Sequence, residues 1–351
     1  MFRSLLNRSN RPVLTAIRHF CTVKDATKLK IAVCGAAGKI GQIVSLFLKQ
    51  SAYPMELALH DISPNLSNIT RQLNCISTRN TVEGFLGPMR MRAALKDADI
   101  VIVLVRARHY SKTSNSDSFE QNFPIIATIV KTCIEVSPQA ILAIGTNPLN
   151  CVIPAVEEIY KNFDIWYANK IIGITAADSM QACSVYADMY SLDPNDVFVP
   201  ITGGTTVDTI LPLFSQSRPA PHKTFSREEA EKLTSLFLES KSQEGVSELS
   251  SAFAIYCFIE SLVRALNGEK DIVECAFVAS SANPPLKYTT SLIDLTEEGV
   301  ANVYGLPTSI SRYERKQLQT AMNNLQRDIT MVEKYLTTAN YQIKDTKLKF
   351  V

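Results

Sequence analysis

Leu29-Lys30-Ile31-Ala32-Val33-Cys34-Gly35-Ala36-Ala37-Gly38-Lys39-Ile40-Gly41 is the stretch from which the fold is read. Its first six residues form a short apolar run suited to a strand buried on both faces of a parallel sheet. The glycines that follow permit a tight turn and let a pyrophosphate approach the N-terminus of the next helix, whose free N–H groups favour anions. A helical pattern runs from Ile40 to Gln50, and a second strand from Met55 to His60 ends in Asp61. Asp61 lies 20 residues past Gly41, the separation at which a carboxylate bonds the adenosine ribose of a dinucleotide. A carboxylate there favours NAD and repels the extra phosphate of NADP. A glycine loop alone is a weak signal, but strand, loop, helix, strand and acid in that order are a strong one.

The alternation continues outward from this unit. Ile100 to Val105 reads as a strand, Phe119 to Val136 as a helix, Ala140 to Ile144 as a strand, Gly145-Thr146-Asn147-Pro148 as a turn and Ile153 to Lys161 as a helix. That is the pattern of a doubly wound parallel sheet. Ligands in such sheets sit beyond the carboxyl ends of the strands, where Gly35, Asp61, Arg106 and Asn147 are expected to gather. Lys170 to Ile174 is a final strand, and a helix follows from about Ala176 to Tyr190. Strands are then expected at Val197 to Thr202 and Thr209 to Phe214, and helices at about Ser226 to Ser247 and Leu249 to Leu266. Strands at Ile272 to Ala279, Thr290 to Leu295 and Val300 to Tyr304 precede a last helix from about Ser311 to Leu336. Its stripe of Leu318, Met322, Leu325, Ile329 and Val332 reads as packing.

Three parts are expected: residues 1–24, 25–173 and 174–351. The first carries Arg3, Arg8, Arg11, Arg18 and Lys24 with no acid before Asp25, among serines and apolar residues, the composition of a mitochondrial transit peptide. Cleavage after Phe20 takes Lys+Arg from 36 to 32 against 34 Asp+Glu, so the basic character belongs to this segment. A matrix location follows, and nothing in the charge suggests nucleic-acid binding. The hydrophobic content of 46% and charged content of 20% are those of an ordinary globular protein. No apolar run is expected to reach the roughly 18 residues of a membrane span. Eight scattered cysteines without a Cys-x-x-Cys pair suggest neither a metal site nor a disulfide framework, and several read as small core residues.

Four segments in order carry a family resemblance: Gly35-Ala36-Ala37-Gly38-Lys39-Ile40-Gly41-Gln42, Phe85-Leu86-Gly87-Pro88, Thr146-Asn147-Pro148-Leu149-Asn150 and Val273-Glu274-Cys275-Ala276-Phe277-Val278. From about residue 29 to about 340 the chain resembles the malate dehydrogenase family, mitochondrial type. The resemblance implies a Rossmann doubly wound sheet followed by an α/β substrate-type domain, usually in a homodimer, interconverting malate and oxaloacetate with NAD. It assigns cofactor binding to Gly35, Gly38, Gly41, Asp61, Asn122 and Asn147, with Asn147 also facing substrate.

Carried over residue by residue, the chemistry does not follow the frame. The family's proton-transferring histidine falls on Thr205, and the arginine that grips the substrate carboxylate falls on Gln181. Two further substrate-loop arginines fall on His109 and Asn115, and only the orienting aspartate survives, as Asp178. Thr205 has no titration near neutral pH, and loss of a positioned acid–base group costs about 10²–10⁴ in rate. Gln181 and Asn115 donate hydrogen bonds without the charge of a guanidinium. Relatives acting on mono-carboxylates keep the arginine at the position of Gln181, so a change of 2-oxo acid does not restore the chemistry. Asp178 also reads as part of a capping box opened by Thr175, and Thr205 and Thr206 as turn or strand residues. Arg106 replaces a glycine at the dinucleotide, where it clasps a phosphate, obstructs the site or stands as a plain surface charge. Glu248 aligns with a substrate-lining position or lies on an ordinary helix surface. Three readings follow: a homologue that keeps the fold and NAD but not catalysis, alone or paired with itself or an active relative; an active oxidoreductase on malate/oxaloacetate or a less anionic substrate, using His109 or a water; or a pure interaction module.

Overall fold

The computed structural model describes residues 26–107, 114–165, 167–220, 225–242 and 248–338. The proposed transit peptide, His109 and His222 lie outside the described residues. Two compact units result, one comprising the described residues up to Gly173 with 330–338, the other Ile174–Ile329.

In the first unit the chain alternates strand and helix: β1 Leu29–Cys34, α1 Lys39–Lys49, β2 Met55–Asp61, α2 Leu66–Asn74, β3 Thr81–Leu86, α3 Met91–Leu95, β4 Ile100–Val103, α4 Asn115–Val136, β5 Ile141–Ile144, α5 Leu149–Asn162 and β6 Ile171–Ile174. These strands run parallel in the order β3-β2-β1-β4-β5-β6. The order reverses between β1 and β4, and β2 and β4 both register on Cys34 at the end of β1 (Cys34↔His60, Cys34↔Val103). Strands β4, β5 and β6 are buried at every residue, which is why they read as continuous apolar runs.

The elements absent from the sequence reading are the weakly patterned ones. Edge strand β3 alternates exposed and buried residues through Thr81-Val82-Glu83-Gly84-Phe85-Leu86, with only Val82 and Phe85 buried. Helix α2 rests on Leu66, Ile69 and Leu73 alone. Helix α4 starts at Asn115, four residues before the expected Phe119, because Ser114 caps it by accepting from the Asp117 N–H at 3.1 Å. Its Phe119 and Phe123 rings stack at 4.9 Å, with Tyr335 edge-on to Phe119 at 5.3 Å.

The second unit contains α6 Ala176–Tyr190, β7 Ile201–Gly203, β8 Ile210–Pro212, α7 Arg227–Ser242, α8 Glu248–Leu266, β9 Ile272–Ala279, β10 Tyr288–Thr296, β11 Gly299–Val303 and most of α9 Arg312–Thr338. The strands β9, β10, β7 and β8 are paired antiparallel in that order, and β11 also pairs with β10. Two expected strands are much shorter than the apolar runs suggested. Phe198 makes only an isolated bridge to Arg218, Pro200 has no N–H for a ladder, and Pro212 ends β8. The core of α6, α7 and the β7–β8 hairpin is built from Tyr186, Val199, Ile201, Phe214, Leu233 and Phe237. In α9, Leu318, Leu325, Ile329 and Val332 are buried, so the apolar stripe is packing.

One expectation needs correction. Helix α8 is long and apolar enough to cross a membrane by length and composition, with mean hydropathy 1.5 over its best window. Two-thirds of that window (67%) is buried within the protein, and the run escapes a simple apolar count because Ser250, Ser251, Glu260 and Ser261 interrupt it. Its apolarity is that of a core helix.

Candidate functional site

The nucleotide-facing residues are built at the strand-order reversal. Gly35 has φ +89°, and a Cβ there would lie 2.6 Å from the Leu104 carbonyl oxygen, so only glycine lets β1 and the segment after β4 meet. At Gly41 a Cβ would come within 2.2 Å of the Gly35 carbonyl oxygen, which locks α1 onto the loop. Gly38 is the N-cap of α1, with no side-chain cap and no acidic residue in the first turn, leaving that end electropositive.

Asp61 is held from both sides. Its Oδ2 accepts from the Ala37 N–H and its Oδ1 from the Ser63 N–H, each at 2.9 Å. Each oxygen keeps a lone pair for a ribose hydroxyl while the carboxylate fixes the glycine loop. Neighbouring His60 is buried, and burial pushes its pKa down. Its Nε2 contacts the Gly87 carbonyl at 3.2 Å, so that nitrogen donates, and the ring is structural. Asn122 braces the site from α4: its Oδ1 accepts from the Ala107 N–H at 2.8 Å and its Nδ2 donates to the Asn147 carbonyl at 3.3 Å. Thr146 adds hydrogen bonds to the carbonyls of Val103 and Val105, leaving Asn147 exposed at the tip of its turn. Asn115 is the first residue of α4 and half-buried.

The second unit holds the other candidates. Asp178 lies in the first turn of α6, where its charge suits the helix dipole. The expected capping box is not formed. Thr175 makes no side-chain cap, because its buried hydroxyl donates to the Cys275 carbonyl at 2.8 Å. The Asp178 carboxylate instead forms an ion pair with the Lys241 ammonium, both side chains being largely buried. One turn along, Gln181 Nε2 donates to Ser240 Oγ at 2.6 Å, and Ser240 donates on to the Phe237 carbonyl. Asp178 and Gln181 are therefore both engaged with the last turn of α7. The sequence reading leaves Asp178 with no imidazole to orient, and the structure gives it Lys241 as its partner.

Thr205 is buried in the turn between β7 and β8, only 6% exposed. Around it Gly203 has φ +84°, Gly204 N–H donates to the Thr209 carbonyl, and Thr206 N–H donates to Thr209 Oγ1 at 3.1 Å. This is the turn role expected of Thr205 and Thr206. Glu248 is half-buried at the start of α8. Cys275, beneath α6, is pushed by burial up to about 12 and stays a thiol. Among the described residues the second unit contains no histidine. A hollow of about 350 Å³ lies beside β11, where Glu269 pairs with Arg264 and Asp294 accepts from Asn302 and Tyr304.

Comparison with known proteins fits both halves. Residues 29–173 match the NAD binding domain of lactate/malate dehydrogenase, and residues 175–336 match the alpha/beta C-terminal domain of the same family. The mitochondrial malate dehydrogenase of Sus scrofa is 33% identical over 339 residues, covering 95% of this chain and 99% of the relative. The Homo sapiens protein of that name is 32% identical over 341 residues, with the same coverage. Among solved structures, the lactate dehydrogenase of Cryptosporidium parvum, complexed with lactic acid and nicotinamide adenine dinucleotide, aligns with a TM-score of 0.73 at 19% identity, over 88% of this chain and 98% of that one. The malate dehydrogenase of the same organism aligns at 0.70 and 16%, over 88% and 100%. NAD is the cofactor that the first unit's family binds, and Gly35, Gly41 and Asp61 form the tight turn, the close helix approach and the carboxylate that holds the glycine loop. A chain that matches both domain models in order and folds as that pair of domains does belongs to the lactate/malate dehydrogenase family.

Proposed function

We propose that this protein is a mitochondrial-type malate dehydrogenase homologue that binds NAD but does not interconvert malate and oxaloacetate at an enzymatic rate. It serves a structural or regulatory role in the mitochondrial matrix. The observation that carries this reading is the Asp178–Lys241 ion pair. In the family's chemistry that carboxylate orients an imidazole; here Thr205 occupies the histidine's place and a lysine holds the carboxylate. Gln181, in the place of the carboxylate-binding arginine, is hydrogen-bonded to Ser240. A neutral ion pair and an amide offer a dianion little compensation for lost hydration. The names of the relatives and the basic composition of residues 1–24 support the matrix location. The division at 25–173 and 174–351, and assembly as a homodimer or beside an active relative, are part of the same proposal.

Bound NAD would accept or deliver hydride at its nicotinamide ring. Asp61 holds the ribose end, the α1 N-terminus faces the phosphates, and Asn147 stands where the family's substrate asparagine does. The test pairs two measurements on the purified mature protein: NADH titration by fluorescence and NADH oxidation with oxaloacetate. Binding in the micromolar range without turnover is expected. Turnover of about 1–10³ per second would sink the proposal, and absence of NADH binding would favour a pure interaction module.

The complete Gly35–Asp61 framework supports a second reading, an active NAD-dependent oxidoreductase on malate/oxaloacetate or a less anionic substrate. In that case a substrate screen finds a reaction, and His109→Ala abolishes it if that imidazole moves the proton.

A further inference from the structure

We propose that Arg106 is a diphosphate-binding residue, a guanidinium that closes the dinucleotide site from the β4 side. The inference rests on NAD occupying the crevice between β1 and β4, where the strand order reverses and ligands of such sheets lie.

Two chain segments leave the carboxyl ends of those strands. One is the glycine turn leading into α1, whose uncapped N-terminus and exposed Lys39 favour an anion. The other is Leu104–Ala107, whose backbone is pinned on both sides of Arg106. Leu104 N–H donates to the Cys34 carbonyl at 2.9 Å, and the Val105 carbonyl accepts from Thr146 Oγ1 at 3.0 Å. Ala107 N–H donates to Asn122 Oδ1 at 2.8 Å. Leu104 and Val105 lie directly against Gly35, within 2.6–3.0 Å of where its Cβ would be. Within this fixed stretch Leu104, Val105 and Ala107 are half-buried and Arg106 alone is exposed.

The structure thereby places an arginine on an ordered backbone, at the mouth of the crevice and next to the phosphate-facing turn. A guanidinium presents paired N–H donors that match phosphate oxygens, in a planar fork that loses less entropy per hydrogen bond than an ammonium does. Obstruction is the competing consequence of the same bulk. Against it, the atoms that fill the space over Gly35 are the backbone of Leu104 and Val105, while the Arg106 side chain stays exposed.

The experiment titrates NADH by fluorescence into wild type, Arg106→Ala and Arg106→Lys at low and high salt, with adenosine as a competitor that lacks phosphate. The expected results are a Kd raised about ten-fold or more in Arg106→Ala, partial retention in Arg106→Lys, a shallower salt dependence in the alanine variant, and unchanged adenosine competition. Equal or tighter NADH binding by Arg106→Ala overturns the proposal and leaves the NAD assignment standing. An equal loss of adenosine binding also overturns it, because the damage is then to the fold. Failure of the wild type to bind NADH overturns the NAD assignment together with the clasp.

Discussion

Asp178 in the first turn of α6 and Lys241 in the last turn of α7 form a largely buried ion pair. A carboxylate with little exposure needs a cation or a set of donors, because leaving it unpaired in a poorly hydrated place is costly. With threonine at position 205, the ammonium of α7 meets that need. Lys241→Met should therefore destabilise the protein by about 1–3 kcal/mol, below the range for fully buried pairs because both groups keep some exposure. Asp178→Asn combined with Lys241→Met should recover most of that loss, as urea unfolding of the two single variants and the double variant will show. An uncoupled, additive result would mean that the pair contributes nothing to stability. Thr205→His alone should not restore oxaloacetate reduction. The new imidazole must compete with Lys241 for Asp178, and no guanidinium stands at position 181. A steady-state assay of that variant returning turnover in the ordinary enzyme range would contradict this account of the site.

Among the elements, the pairing of α8 with β9 carries a raised carboxyl, Glu274. Ser261 of α8 donates to Glu274 of β9 at 2.6 Å, and Arg264 lies near enough to favour the anion. Burial outweighs both and raises the Glu274 carboxyl to about 7. A folded-state pKa above the unfolded one means that the native protein holds the extra proton. Stability from this group is then full below about pH 4.5 and falls as pH rises towards 7. Glu274→Gln should remove that slope and raise stability at pH 8 by about 1–3 kcal/mol. Urea midpoints at pH 5 and pH 8 will test it, and a variant with an unchanged pH slope would locate the effect elsewhere. The legibility of the elements follows similar physics. Strands β1, β4, β5 and β6 were plain in the sequence because both faces are buried. Strand β3 and helix α2 were not, since each buries only two or three side chains. The N-terminus of α4 was missed because Asn115, Ser116, Asp117 and Ser118 carry no apolar pattern and Ser114 sets the start by a cap.

At the scale of the whole molecule, one unit matches the family's NAD binding domain and the other its alpha/beta C-terminal domain. The proposed function keeps the family's location and assembly without its rate, so each of these has its own test. Residues 1–24 fused to a reporter should deliver it to the mitochondrial matrix, and replacing Arg3, Arg8, Arg11 and Arg18 by glutamine should leave it in the cytosol. Fluorescence microscopy with a matrix marker decides this, and an unaffected distribution would remove the address function from that segment.

The sequence by itself determined the parallel sheet, the glycine turn, Asp61 and the family, because each is written in contiguous residues whose geometry is local. It also shows threonine, glutamine, histidine and asparagine at 205, 181, 109 and 115, the letters on which the proposed loss of catalysis rests. What Asp178 and Gln181 engage was decided only by tertiary structure. Lys241 and Ser240 lie some sixty residues from Asp178 and Gln181 in the chain. They face them because of how α6 and α7 are rotated against each other over Tyr186, Leu233 and Phe237. A basic residue in the last turn of a helix is ordinary in sequence, and only the packing of that face gives it a buried carboxylate as its partner.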